Sequence, residues 1–155
     1  MKNYDSRSKS PGRWISIINR LSDKYFRTEL KRFGLGLGQH LLLAELYDQD
    51  KINQDTLAKH LEADKANVAR SLNKLEALGY IERRQHPKDK RSRVIYLTPK
   101  AMYIKDDFVK VLRGWSLLLC SNLSTEEFET AIKLLQNMYS QAHKMYGQDT
   151  RENMF

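Results

Sequence analysis

Apolar residues recur every three to four positions over residues 13–33. Trp14, Ile18, Leu21 and Tyr25 form one row, with Ile15, Phe26 and Leu30 beside it. That period predicts an amphipathic helix, which Gly34, Gly36 and Gly38 bring to an end. A second helix, about 39–47, carries Leu42, Leu43 and Leu46. After a polar link over 48–52, Asn53 is placed to cap a short third helix, about 54–61, with Leu57 and Leu61 inward. Asp64 is placed to cap a fourth, about 65–78, in which Val68, Leu72 and Leu75 share a face. Gly79 stops it.

The pattern then changes. Residues 80–84 and 93–97 read as strands around His86-Pro87-Lys88-Asp89-Lys90, a turn too charged to belong to a core. Thr98-Pro99 opens a fifth helix reaching about Cys120, with Thr as cap and Pro in the first turn. Ser124-Thr125-Glu126-Glu127 is a capping box for a sixth, whose Phe128, Ile132, Leu135, Tyr139, Ala142 and Tyr146 make an almost unbroken stripe. The sum is a mainly α chain with a small β-wing. Two short helices, a glycine stop and a basic hairpin are the layout of a winged helix-turn-helix. At 155 residues a single domain over 1–155 is expected. Its winged lobe would span about 39–98. The helices at about 13–33 and 99–146 carry more apolar stripe than that lobe needs, so they are read as a dimerisation unit built from both termini.

Charge sharpens this picture. Residues 65–93 hold nine Lys/Arg against three acids, six of the chain's net eight positive charges. A basic excess concentrated in one segment is the footprint of a phosphate-binding surface. In a helix-turn-helix the second helix enters the major groove, its N-terminal residues at the base edges. Here its outward positions are Lys65, Asn67, Arg70, Ser71 and Lys74. Arg70 suits a bidentate contact to guanine and Asn67 a contact to adenine. Ala66 and Ala69 allow close approach or contact with a thymine methyl. Lys65 and Lys74 suit phosphate, which supplies affinity and register rather than sequence choice. On the hairpin, Arg91 is placed to enter the adjacent minor groove, with Asp89 orienting it. Lys88, Lys90 and Arg93 suit phosphate or flanking contacts. Taken alone, a run of surface Lys/Arg is usually a solvated face, and Asp89 with Arg91 equally describes an ion pair holding a turn. The element order is what favours double-stranded DNA.

Other classes receive less support. Gly34, Gly36 and Gly38 follow no strand and precede no Lys-Ser/Thr pair, so they make no phosphate loop. No nucleophile–base arrangement stands out, and an enzyme is not expected. His40, His60, His86 and His143 are scattered without ligand spacing, so neither metal nor cofactor is expected. Cys120, the only cysteine, excludes an internal disulfide and fits a reducing compartment. Its apolar run, Leu117-Leu118-Leu119, points to a buried core or interface thiol. No apolar run approaches the roughly 20 residues of a membrane span, and residues 1–13 lack the apolar core of a secretory signal. A cytoplasmic protein is the expectation. The alternative function is a winged-helix protein-interaction module without DNA binding.

Four segments together resemble the MarR family of transcriptional regulators. They are Asn53-Gln54-Asp55-Thr56-Leu57-Ala58, Asp64-Lys65-Ala66-Asn67-Val68-Ala69-Arg70, and Leu75-Glu76-Ala77-Leu78-Gly79-Tyr80-Ile81-Glu82-Arg83. The fourth is Asp89-Lys90-Arg91-Ser92-Arg93 running into Val94-Ile95-Tyr96-Leu97-Thr98. The resemblance implies a homodimer, usually a repressor, on a pseudo-palindromic operator with half-sites about one helical turn apart. It places Ala66, Asn67, Ala69 and Arg70 at the start of the recognition helix, and Asp89 and Arg91 on the wing. It also implies release by a small aromatic or anionic effector. Arg13, Trp14, Tyr25, Phe26 and Trp115 are the residues available to line its site, although aromatics at helical spacing most often belong to a core. The family often carries Ser or Thr where this chain has Ala66 and Ala69, which removes hydroxyl donors from the reading face. It commonly has Gly where this chain has Ala101.

Overall fold

In the structure, a computed structural model that describes residues 7–85 and 93–146, the hairpin strands lie between two runs of helix. After a 3-10 turn at Arg7–Lys9 come α1 (Pro11–Glu29), a second 3-10 turn (Leu30–Phe33), α2 (Gln39–Asp48), α3 (Gln54–His60) and α4 (Lys65–Ala77). Strands β1 (Ile81–Gln85) and β2 (Arg93–Leu97) follow, then α5 (Pro99–Cys120) and α6 (Thr125–Tyr146). The chain divides into two compact units, Met1–Trp115 and Ser116–Phe155.

Local chemistry sets the boundaries. α1 begins two residues before the sequence expectation because Ser10 caps it, its Oγ accepting from the Arg13 N–H, and Pro11 fills the first helical position. It ends early because the last turn tightens toward Gly34, which takes a left-handed φ of 69°. The Gly34 and Leu35 N–H groups donate to the carbonyls of Lys31 and Leu30. Gly79 (φ 75°) plays the same part after α4, with Gly79 and Tyr80 N–H donating to Glu76 and Leu75. The expected first strand therefore starts at Ile81, with Tyr80 buried before it.

The wing strands are antiparallel, pairing Ile81 with Leu97, Arg83 with Ile95 and Gln85 with Arg93. The link between α2 and α3 adds a third edge. The Ile52 carbonyl accepts from the Ile95 N–H at 2.9 Å, and Asn53 bridges Val94. The first unit's core is continuous from Phe26 and Leu30 through Leu42, Leu43 and Leu46 to Leu57, Leu72, Leu75, Ile81, Ile95 and Phe108.

α1 departs from the uniform stripe its sequence predicts. Tyr25, Phe26 and Leu30 pack inward, whereas Trp14, Ile15, Ile18 and Leu21 stay exposed. In the second unit the capping box forms reciprocally: the Glu127 N–H donates to Ser124 Oγ, and the Ser124 N–H to Glu127 Oε2. No residue of α6 is buried, and its whole apolar stripe is exposed. Cys120 is half-buried, not a core residue, because Leu117, Leu118 and Leu119 beside it are exposed.

Candidate nucleic-acid interface

Two capped helices and a tight turn position the basic face. Asn53 Oδ1 accepts from the Thr56 N–H at 2.8 Å and starts α3. The chain leaves α3 through Glu62 at φ 48°, and the Ala63 N–H donates to the Ala58 carbonyl. Asp64 Oδ1 then accepts from both Ala66 and Asn67 N–H, at 3.0 and 3.1 Å. These bonds satisfy first-turn donors of α4 that would otherwise lack partners, and they fix the angle at which α4 leaves the turn.

Val68, Leu72 and Leu75 anchor one face of α4 in the core. Asn67, Arg70 and Lys74 stand exposed on another, one row at helical spacing. Within that row Arg70 Nη2 donates to Asn67 Oδ1. The bond holds both side chains against the helix. It also uses the Asn67 acceptor that adenine recognition needs, so reading adenine with Asn67 requires the pair to open. Lys65 Nζ lies 3.1 Å from Asp55 Oδ1, with both side chains about two-thirds exposed. Such a pair contributes at most about 1 kcal/mol and leaves Lys65 able to exchange Asp55 for phosphate. Ala66 is exposed and Ala69 half-buried.

Ser71 departs from its outward assignment. It is half-buried, and a Cβ on Gly38 would stand 3.4 Å from its Oγ. It therefore faces the start of α2. Arg93 is exposed at the first position of β2. Lys88, Asp89, Lys90 and Arg91 lie outside the described residues.

Two arginines counted in the basic segment are engaged within it. Arg83 donates to Glu76 Oε2 from Nε at 3.0 Å and again from Nη2, which also reaches Asn73 Oδ1 at 2.7 Å. This network ties β1 to α4, and the Arg83 hydrogen bond holds the Glu76 carboxyl below its ordinary pKa against the opposing effect of burial. Arg84 pairs with Glu82, and its guanidinium lies 4.8 Å from the centroid of the Tyr96 ring. Asn73 carried no signal in the sequence, because its role exists only once β1 packs on α4.

The five effector candidates separate into two groups. Tyr25, Phe26 and Trp115 come together, their ring centroids 5.2 to 6.3 Å apart. His40, which the sequence did not single out for this cluster, stacks on Phe26 at 4.4 Å. Its ring is buried with Nδ1 unbonded, and burial lowers its pKa. Arg13 and Trp14 pair with each other, the guanidinium 5.2 Å from the indole centroid. They sit three turns up α1, roughly 16 Å from Tyr25 at 1.5 Å per residue. Among the described residues no group of three or more His, Cys, Asp or Glu is placed to hold a metal, and no helix is long and apolar enough to cross a membrane.

A capped α3–α4 pair, a glycine stop and an antiparallel hairpin define a winged helix-turn-helix protein. Residues 35–92 match the family model of the MarR family. The chain is 32% identical over 114 residues to the HTH-type transcriptional regulator BilQ of Clostridium symbiosum, covering 74% of this chain and 79% of that one. Its fold superposes on a MarR transcriptional regulator from Methanosarcina mazei Go1 with a TM-score of 0.81 and 31% identity, covering 86% of this chain and 96% of that one. It also matches S. aureus MepR, solved in complex with DNA, with a TM-score of 0.79 and 25% identity over 88% of this chain and 99% of that one. The chain belongs to the MarR family of transcriptional regulators.

Proposed function

We propose that the protein is a sequence-specific DNA-binding regulator, a cytoplasmic homodimer that represses from a pseudo-palindromic operator and is released by a small aromatic or anionic effector. The observation that carries the reading is the exposed row Asn67, Arg70 and Lys74, on a helix whose other face is locked in the core and whose N-terminus is fixed by Asp64. The lobe at 39–98 reads DNA, with the wing residues Lys88, Asp89, Lys90, Arg91 and Arg93 extending the contact. The exposed stripes of α1 and α6 support dimerisation. The aromatic cluster of Tyr25, Phe26 and Trp115 supports the effector site, and the DNA complex of the S. aureus relative supports the choice of partner.

Selection from a random duplex library at about 0.15 M salt tests the proposal, because at that salt specific complexes outlast most non-specific phosphate binding. A two-fold pseudo-palindrome with half-sites about one turn apart is the expected product. Arg70→Ala weakens specific binding by roughly 1–3 kcal/mol and relaxes base preference at one position per half-site. A folded dimer that recovers nothing above background points instead to a protein-interaction module. Selectivity unchanged in the Arg70 variant removes Arg70 as a reader.

A further inference from the structure

A groove of about 680 Å³ opens on the first unit, with Arg27, Lys31 and Lys74 along its walls. Arg27 lies in the last turn of α1, Lys31 in the 3-10 turn after it and Lys74 in the last turn of α4. All three are exposed, and among the described residues none has an acidic partner within 4 Å. The volume falls in the range of small-molecule sites. Gln39, a buried residue, also lines the groove and brings a side-chain amide to it. Its Oε1 accepts the Gly36 N–H at 2.6 Å. Only an oxygen can accept that proton, so the other end of the amide is an NH₂ donor.

Three cations held around one groove repel each other, and a single carboxylate would offset only part of that repulsion. We propose that the groove binds a small phosphate-type oxyanion carrying two or more negative charges, seated by Arg27, Lys31 and Lys74 and oriented by the Gln39 amide. The site is distinct from the aromatic cluster of Tyr25, Phe26 and Trp115, and none of its lining residues belongs to that cluster. Lys74 also stands in the row with Asn67 and Arg70. An oxyanion in the groove therefore removes a cation from the face assigned to DNA, and the two ligands oppose each other. That second consequence rests on the DNA-reading role proposed above; binding of the oxyanion does not.

The test is calorimetric titration of the full chain with inorganic pyrophosphate at low ionic strength, without DNA. One site per chain is expected. Arg27→Ala with Lys31→Ala, or Lys74→Gln alone, weakens it at least tenfold, while Lys59→Ala, an exposed cation of α3 outside the groove, leaves it unchanged. The altered side chains are all exposed, so the thermal transition stays in place, and the Lys74 variant decides the matter if the double variant does not fold. No binding at millimolar pyrophosphate, or binding indifferent to all three groove cations, overturns the proposal. Duplex titrations then locate the source of the oxyanion. If it is a DNA backbone phosphate, the double variant lowers the slope of log K against log salt by about two per protomer bound. If it is a free molecule, that slope holds, and pyrophosphate weakens duplex binding by the wild type but not by the double variant. A chain that binds no DNA but retains the pyrophosphate site refutes the DNA reading alone.

Discussion

Leu72 and Leu135 occupy matching places in the apolar stripes of α4 and α6, yet Leu72 has no exposed surface and Leu135 keeps 51% of its own. The difference lies in what surrounds them. α4 is met by α2, α3 and the wing, so its stripe is covered within the chain. α6 has a well-formed cap and a regular stripe, but no residue of it is buried. An amphipathic period shows that a surface is to be covered, not what covers it. Because helices in proteins draw most of their stability from packing an amphipathic face, α6 needs a surface beyond its own unit. The second copy of the chain proposed above would meet that need.

The largest expected effect breaks that contact. Ile132→Asp with Leu135→Asp places two carboxylates in the stripe, and desolvating them opposes association by at least about 3 kcal/mol, a hundredfold or more in the dimer dissociation constant. Sedimentation equilibrium at micromolar protein should show a dimer for the wild type and a monomer for the variant, with the lobe still folded. A monomeric wild type ends the dimer reading. Leu72→Ala tests the other half of the comparison. It removes buried contacts from a filled core and costs about 2–5 kcal/mol, visible as a lower urea midpoint with unchanged slope. The folded fraction should still associate. If Leu72→Ala instead separates the copies while the lobe stays stable, burial in the lobe and association are one cooperative event, and the contrast between the two regions disappears.

The features legible in the sequence were those whose causes act within a few residues. The caps at Asn53, Asp64 and Ser124 and the stops at Gly34 and Gly79 each involve groups no more than five positions apart. Features that depend on what packs where were not legible. Arg83 counts as open charge until β1 lies on α4, where Glu76 and Asn73 engage it. Ser71 shares the polar character of Arg70 and Lys74, yet it turns toward Gly38. Ile52 ends a segment read as a polar link, but its carbonyl joins the sheet. In the site, the row Asn67, Arg70 and Lys74 followed from helical spacing, whereas the bond between Asn67 and Arg70 depends on rotamers that spacing does not set.

His40 gives the smallest and most selective test, because it marks a place where coverage within the lobe is incomplete. Among the described residues its Nδ1 is the one buried side-chain polar atom without a hydrogen bond, and its ring stacks on Phe26, where the α1 stripe passes from exposed to buried. Burial lowers its pKa below the ordinary 6.5, with Asp23 acting in the opposite sense. Since the folded value is the lower one, the folded state favours the neutral ring. The stability this provides is fully present above about pH 6.5 and is lost as pH falls through the folded value, by at most about 1.4 kcal/mol per pH unit for one proton. His40→Phe keeps an aromatic ring against Phe26 and removes the proton site. At fixed protein concentration, which matters for an associating chain, the variant should match the wild type within about 1 kcal/mol at neutral pH. It should lose less stability than the wild type between pH 7 and pH 5. Titration elsewhere in the chain is common to both proteins and cancels in the difference. Equal losses in the two proteins would mean that protonation of His40 is not what costs the fold its stability in acid.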